Sequence, residues 1–266
     1  MKRKLLFLLI AGLITTIAFS QKKETRSVSG FTGINASSVF NITVVKGASE
    51  SLTIETDNDV MQYVRSEVRN GTLHLYIDNG NKVQNIKKLN ASVVMKNLDN
   101  VLLSGVCKFT ANDLFTPEKF KLEGSGASNI TVNVNTGHLT IEASGACNIQ
   151  IKANVTGDAN FNLSGAAKVQ AALKAYNTGL TFSGVCSIEL TGEATNMEMV
   201  ISGTSKVKAE NFAVKTAFIK SSGTSSVTMN VSDTLKVNSS GTASVNYKGS
   251  PTLETNVGSA SKVRKI

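Results

Sequence analysis

The chain has 266 residues, of which 41% are hydrophobic and 18% are charged, and its formal net charge is +9. This length suits one large domain or two ordinary ones, and the composition excludes disordered, collagen-like and disulfide-packed small proteins. The chain has only two prolines and is rich in Ser, Thr, Asn, Gly and Val, which argues against a helical bundle.

Residues 1–20 have the pattern of a secretory signal peptide. Three basic residues at positions 2–4 precede an apolar run over residues 5–19, and small residues stand at positions 18 and 20. We therefore expect cleavage before Gln21 and export to the periplasm, the outer cell surface or the medium. An uncleaved anchor is the alternative, but the apolar run is short for a membrane span, and no later stretch reaches the roughly 18 residues needed. Cleavage removes three positive charges and lowers the net charge to +6.

A short motif, Ser-Gly-small-small-X-apolar, recurs along the second part of the chain at intervals of 18 to 21 residues. Its copies begin at Ser104, Ser125, Ser144, Ser164, Ser183, Ser202, Ser222 and Ser240, and a degenerate copy begins at Gly258. The sixth position is apolar in every copy and has polar neighbours on both sides, which is the period-two pattern of a strand with one buried face. A second apolar position lies three residues before each of the eight serines.

A repeat of about nineteen residues predicts an all-β fold, a right-handed parallel β-helix with one repeat in each coil. Stacking places equivalent residues about 4.8 Å apart, so that the apolar columns form one continuous core. A β-sandwich of short strands is the alternative, and the nine in-register copies argue against it. We expect a single solenoid domain over residues 21–266, with regular repeats over about 100–264 and irregular coils before them that cover one end.

The three cysteines test this register. Cys107, Cys147 and Cys186 all lie three places after the first residue of their motif copy, in alternate copies of the repeat. Two coils separate neighbouring cysteines by about 9.6 Å, which exceeds the Cα separation of a disulfide. The sequence therefore predicts three free thiols in one buried column. The repeated Ser-Gly pair lacks the context of a catalytic serine and is interpreted as a structural corner.

The N-terminal part of the mature chain also has strand patterns, over residues 39–45, 51–55 and 72–77. Its opening Ser29-Gly30-Phe31-Thr32-Gly33-Ile34-Asn35, the strand ending at Lys46-Gly47, the turn Asn70-Gly71-Thr72-Leu73 and the repeated Ser-Gly-Ala-Ser-type motif together resemble the putative auto-transporter adhesin, head GIN domain family. The resemblance covers roughly residues 27–264. It implies an exported right-handed β-helix typical of Bacteroidetes-type bacteria and suggests adhesion, and it supplies no catalytic residue.

The residues themselves give little sign of chemistry. His74 and His138 have no second ligand at metal spacing, and no calcium-binding or phosphate-binding motif is present, so neither a metal nor a cofactor is predicted. Glu123 and Glu142 occupy equivalent places in adjacent copies and could lie about 5 Å apart, as in a retaining glycosidase. Nucleic acid is not an expected partner, because the charge is weak and diffuse.

Three functions remain open at this point. The favoured one is a non-enzymatic, adhesin-like interaction module that binds a surface, a glycan or an envelope protein. Its candidate binding ladder consists of Lys108, Asn129, Asn148, Lys168, Lys206 and Lys208. The alternatives are a polysaccharide-acting enzyme that uses Glu123, Glu142 and Glu189, and a ligand-free spacer. End-to-end self-association is a further expectation, since an open solenoid end exposes strand edges.

Overall fold

Strands dominate the computed structural model of the protein, which describes residues 21–78, 83 and 86–266; the predicted signal peptide lies outside this part. A single 3-10 turn, Met61–Tyr63, is the only helical element of the described residues. The strands of the described residues, in chain order, are β1 (Gln21–Arg26), β2 (Gly33–Ala36), β3 (Asn41–Lys46), β4 (Ser51–Asp57), β5 (Val64–Arg69), β6 (Thr72–Ile77), β7 (Leu89–Met95), β8 (Asn100–Leu103), β9 (Lys108–Phe115), β10 (Lys119–Gly124), β11 (Asn129–Thr136), β12 (His138–Ala143), β13 (Asn148–Val155), β14 (Asp158–Leu163), β15 (Lys168–Phe182), β16 (Val185–Ile201), β17 (Thr204–Ser221), β18 (Thr224–Ser239), β19 (Thr242–Lys248), β20 (Thr252–Val257) and β21 (Lys262–Lys265).

The strands stack as parallel coils of about nineteen residues, which form a β-solenoid of about nine turns. One side of the stack, sheet A, contains β2, β8, β10, β12, β14, the second halves of β15–β18, and β20. The other side, sheet B, contains β3, β9, β11, β13, the first halves of β15–β18, β19 and β21. The long strands β15–β18 bend around a corner and belong to both sheets. The predicted solenoid is confirmed.

Both predicted apolar columns are confirmed by the strand register. In sheet B the column consists of Ile42, Phe109, Ile130, Ile149, Val169, Ile188, Val207, Val227, Val245 and Val263. In sheet A it consists of Ile34, Val101, Leu122, Ile141, Phe161, Leu180, Met199, Ile219, Val237 and Thr255. The columns face each other inside the coil, and nearly all of their side chains are buried. Because one coil cannot bury its apolar face alone, stacking supplies the stabilisation.

The Ser-Gly corners connect the coils through backbone hydrogen bonds. The residue after each corner glycine donates to the corner carbonyl of the preceding coil, for example Ala127 N to Gly105 O at 2.8 Å and Ala146 N to Gly126 O at 2.8 Å. Some corner serines add a bond of their own, as Ser202 does when its hydroxyl donates to Phe182 O at 3.1 Å. Both the serine and the glycine of the repeated pair therefore have a structural role at the corner.

The N-terminal coils are not stacked in chain order. β2 lies between β6 and β8, and β3 lies between β7 and β9. After β3 the chain therefore forms β4 and β5, stacks β6 and β7 on one side of the first coil, and then stacks β8 and β9 on the other side. Antiparallel pairs, β1 with β4, β4 with β7 and β5 with β6, lie beyond this end. This arrangement covers the end, as predicted, and buries Val60, Met61 and Val64.

The opposite end is more open. β20 and β21 each pair with a strand on one side only. Leu253 is 42% exposed, and Thr255, the one polar member of its column, is also exposed. Basic residues in β21 give this edge a positive charge, which is a common way to discourage unwanted strand pairing.

Candidate functional site

Register places the predicted ladder residues on the outer face of sheet B. Lys108, Asn129, Asn148 and Lys168 occupy one column, in which each is paired with the next. Lys206 continues the same column two coils later, through Ser187. Lys208 lies two residues further along β17, in the neighbouring column. The six candidates therefore share one face but form two columns.

We call these two columns together the ladder face. The first column consists of Asn41, Lys108, Asn129, Asn148, Lys168, Ser187, Lys206, Ser226, Ser244 and Lys262. The second consists of Thr43, Thr110, Thr131, Gln150, Gln170, Glu189, Lys208, Thr228, Asn246 and Arg264. Every member is polar, so the face presents hydroxyl, amide and ammonium groups along the length of the stack.

Carboxamide side chains on the ladder face bond to their equivalents in the next coil. Asn148 Nδ2 donates to Asn129 Oδ1 at 3.4 Å, and Gln150 Nε2 donates to Gln170 Oε1 at 3.5 Å. At the covered end, Asn41 Nδ2 donates to Asn90 Oδ1 at 3.1 Å. These bonds run parallel to the solenoid axis and hold the amides in a regular row.

The lysines of the ladder face are unpaired. Lys108, Lys168, Lys206 and Lys208 are exposed, and none of them forms an ion pair or a side-chain hydrogen bond within the described part of the chain. Glu189 is the only acid in either column. These cations are therefore available to an outside partner, although Glu189 is the register neighbour of Lys208 in the adjacent coil.

Sheet A provides the contrast. There Lys121 Nζ lies 2.7 Å from Glu123 Oε1 and 3.3 Å from Glu142 Oε2. Lys236 is paired with Glu254 at 2.9 Å. The outer face of sheet A thus carries both signs, with Lys121 and Lys236 paired to glutamates and Lys119 and Lys220 exposed without an ion pair to any described residue, whereas the two columns of sheet B carry one acid only.

Asn41 is a ladder residue that the sequence analysis did not identify. Residues 37–42 read Ser-Ser-Val-Phe-Asn-Ile and form a further copy of the repeat, in which Ser38 occupies the glycine position. Val106 N donates to Ser38 O at 2.7 Å, as in the later corners. The sequence does show part of the repeat motif here, because the polar Asn41 precedes the apolar Ile42. The copy was not recognised because it lacks the glycine of the Ser-Gly pair.

A shallow groove lies beside the second column. It is lined by Gln150, Lys152, Gln170, Ala172 and Glu189, and its volume is about 340 Å³. The small side chain of Ala172 stands where neighbouring coils have the larger Lys152 and Thr191, and this difference opens the depression. Amide, ammonium and carboxylate groups at its rim offer both donors and acceptors.

The candidate catalytic carboxylates have the predicted proximity but a different electrostatic setting. Glu123 and Glu142 are paired in register, and Lys121 bridges them. The hydrogen bond to Glu123, with a second to Glu142, raises the pKa of Lys121 above its ordinary value. Lys121 thus occupies the space between the two carboxylates, whereas in a glycosidase the carboxyl pair flanks the bond to be cleaved.

The third glutamate does not join them. Glu189 lies on sheet B, on the opposite side of the coil from Glu123 and Glu142. The structure therefore does not bring the three residues together at one place.

The histidines lie in different strands, His74 in β6 and His138 in β12. His138 Nδ1 is 3.8 Å from Asp158 Oδ2, and Asp158 accepts a bond from Asn177 Nδ2 at 2.7 Å. Within the ranges that the structure describes, no three His, Cys, Asp or Glu side chains come together as a metal site. The same part of the chain contains no long apolar helix of the kind that crosses a bilayer.

Comparison with known proteins supports the fold and identifies a family. A solved structure described as a putative adhesin from Parabacteroides distasonis is 19% identical, covers 94% of this chain and 98% of its own, and superposes with a TM-score of 0.70. A putative adhesin from Parabacteroides merdae is 19% identical, with coverage of 92% and 96% and a TM-score of 0.63. A putative lipid binding protein from Parabacteroides distasonis is 14% identical, with coverage of 92% and 96% and a TM-score of 0.61. At these identities the likeness concerns the fold alone.

Among curated proteins no significant match was found. The profile of one family matches residues 30–177 and 140–251, which together span most of the chain and include the repeat from its first corner to its eighth. The chain belongs to the family described as putative auto-transporter adhesin, head GIN domain.

Proposed function

We propose that the protein is an exported, non-enzymatic interaction module that binds an anionic surface polysaccharide through the ladder face. The observation that carries this proposal is the row of unpaired lysines along sheet B, in columns that contain a single acid, whereas sheet A mixes acids with its cations and pairs Lys121 and Lys236 with glutamates. The signal-peptide pattern of residues 1–20 supports export, and the family description supports an adhesin-like role.

The spacing of the cations suits a linear polyanion. Lys108, Lys168, Lys206 and Lys262 recur after three, two and three coils, or about 14, 10 and 14 Å along the axis. A single exposed ion pair contributes little. Several contacts to one chain reinforce one another, because each one holds the next group of the polymer near its partner.

The groups between the cations favour a polysaccharide over a bilayer. Asn129, Asn148, Gln150 and Gln170 present amides that bond readily to hydroxyls. The exposed large apolar side chains of the described residues, such as Val106 and Leu114, lie outside the two columns. The two columns thus contain no apolar group of the kind that peripheral membrane binding generally uses, and the exposed Val45 and Leu114 lie beside them only near the covered end.

The proposal is tested with a triple variant and a charge-matched control. Lys168→Gln, Lys206→Gln and Lys208→Gln remove three charges from the ladder face. Lys119→Gln, Lys220→Gln and Lys236→Gln remove the same number from sheet A, so both variants have the same net charge. The probes are polygalacturonate, dextran sulfate, neutral dextran and vesicles containing phosphatidylglycerol.

We expect the wild-type protein and the control to be retained on both polyanions, and the ladder variant to need an about tenfold higher concentration for half-saturation. Equal loss in the two variants would show that only the overall charge matters, and binding to vesicles alone would favour a membrane partner. Either outcome overturns the proposal. Reducing ends are assayed in the same samples, and their release would overturn the non-enzymatic role.

A further inference from the structure

A second concave surface lies at the corner where the chain passes from sheet B to sheet A. We call it the corner groove, and it is lined by Asn154, Tyr176, Ala194, Val214 and Asn230, among others, with a volume of about 620 Å³. It crosses five successive coils, from the one with Asn154 to the one with Asn230. At about 4.8 Å per coil the groove extends for about 19 Å along the axis.

Irregular strand pairing accompanies this groove. The register between β16 and β17 shifts between Glu189 and Thr191. The register between β17 and β18 shifts between Ala209 and Ala213, and again between Val214 and Thr216. Such bulges redirect side chains and are common beside functional sites. Small side chains, including Ala175 and Ala194, form part of the lining and leave room above the backbone.

Tyr176 is the distinctive side chain of the corner groove. It is 56% exposed, and it is the one exposed aromatic residue in the described ranges, where the large phenylalanines are mostly buried. Tyr176 N donates to Gly157 O at 3.1 Å, which places Gly157 next to it in the preceding coil. Gly157 has no side chain to cover the ring, so the ring remains available to a ligand.

The rim of the groove is polar and in part ordered. Lys174 Nζ lies 2.7 Å from Glu193 Oε1. This hydrogen-bonded pair lowers the pKa of Glu193 and raises the pKa of Lys174, so both groups stay charged near neutral pH. Asn154, Asn230 and Ser232 add amide and hydroxyl groups. The groove therefore combines one aromatic platform with several donors and acceptors, and its net charge is small.

We propose that the corner groove is a binding site for an uncharged oligosaccharide, with one sugar ring stacked on Tyr176. Sugar rings present C–H groups on one face and hydroxyls at their edge, and Tyr176 with the polar rim complements both. A peptide bound as an added strand fits less well, because β15 to β18 are paired on both sides here. An acyl chain fits less well because the groove is open and has a polar rim.

The site is tested by binding of uncharged tetrasaccharides of glucose, mannose and N-acetylglucosamine to the full chain, read by saturation-transfer NMR and calorimetry. Tyr176→Ala removes the ring, and Tyr176→Phe keeps it. Val185→Ser is the control, since Val185 is an exposed apolar residue at a Ser-Gly corner. Far-ultraviolet circular dichroism verifies that each variant is folded.

We expect at least one tetrasaccharide to bind, Tyr176→Ala to weaken it about tenfold, and Tyr176→Phe and Val185→Ser to stay within about twofold of wild type. Absence of binding to the wild-type protein overturns the proposal, and so does equal binding by Tyr176→Ala. The triple lysine variant of the ladder face should bind the tetrasaccharide normally. Failure of polyanion binding and failure of this site are therefore distinguishable.

Discussion

Ser38 and Gly105 occupy the same corner of two adjacent coils and share the same left-handed backbone conformation, with φ of 86° and 88°. The fit between them is close, since a Cβ added at Gly105 would lie 2.4 Å from Ser38 O. Glycine adopts this conformation freely, whereas serine pays about 1–2 kcal/mol for it. The first coil is therefore completed by a residue under conformational strain.

Ser38→Gly should stabilise the protein. The relief of strain exceeds the added entropy of the unfolded chain, so the free energy of unfolding in urea should rise by up to about 1 kcal/mol. Ser183→Gly is the control, because Ser183 does not have a left-handed backbone conformation and the substitution therefore relieves no strain. That variant should lose about 0.5–1 kcal/mol. A destabilised Ser38→Gly protein would contradict the strain argument.

Gly145→Ala should destabilise the stack. A Cβ at this position would lie 2.1 Å from Gly126 O and 2.6 Å from Gly126 N, so the two coils would have to separate locally. Overpacking of this kind costs about 1–3 kcal/mol, or more where backbone must move. Gly258→Ala is the matched control, since its nearest atom, Ser239 O, is 3.7 Å away. Thermal and urea unfolding of the two variants distinguish these outcomes, and equal stability would refute the close-approach argument.

The parts of the fold that the sequence predicted are those set by periodic burial. The apolar columns through Phe109 and Val101 follow from side chains that repeat in type at a constant position, and the pairing of Glu123 with Glu142 follows from the same register. The first coil was missed for two reasons. Ser38 replaces the corner glycine, and the strands beside this coil, β6 and β7, come later in the chain than β2 and β3.

The candidate site was predictable only in part. Alternation identified Lys108 and Lys168 as outward-facing. Ion pairing depends on how far each side chain reaches in the folded protein, so the sequence did not reveal that these lysines are unpaired or that Lys121 bridges two glutamates. The corner groove gave no sequence signal. It accompanies register shifts near Ala213, which period-two patterning cannot reveal.

The three cysteines should all be free and unreactive in the native protein. Cys107, Cys147 and Cys186 are buried and form no disulfide, and desolvation raises the pKa of the Cys107 thiol. Because the thiolate is the reactive form, both effects slow attack on a disulfide reagent. Titration with Ellman's reagent at pH 8 should find three thiols in denaturant without reductant and almost none without denaturant. A count of one in the denatured protein would indicate a disulfide and contradict the register.

Salt should separate the two proposed binding surfaces. The ladder face relies on exposed charges such as Lys168 and Lys206, which salt screens, since the Debye length falls from about 10 Å at 0.1 M to about 3 Å at 1 M. Retention on polygalacturonate should therefore disappear as sodium chloride rises over this range. Tetrasaccharide binding near Tyr176 should change little, because stacking and neutral hydrogen bonds are weakly screened. Salt-resistant polyanion binding would contradict the electrostatic role of the ladder face.

Acid should loosen the N-terminal end before a central strand that contains no carboxylate, such as β13. A hydrogen bond from Lys88 lowers the pKa of Glu55, and bonds from Arg69 and Tyr76 lower that of Glu67. A carboxyl whose folded pKa is lowered stabilises the folded state above the ordinary value of 4.5, and this contribution is lost as the pH falls through the folded pKa.

Hydrogen exchange measured by mass spectrometry between pH 6 and pH 3, corrected for intrinsic rates, checks this order of events. Peptides from β4 and β5 should lose protection below about pH 4.5, while those from β13, which contains no carboxylate, should keep it. Surface ion pairs are weak, so the effect should be local opening and not global unfolding. Glu55→Gln with Glu67→Gln should make the exchange of this end less dependent on pH, and an unchanged profile in that variant would assign the acid sensitivity to other groups.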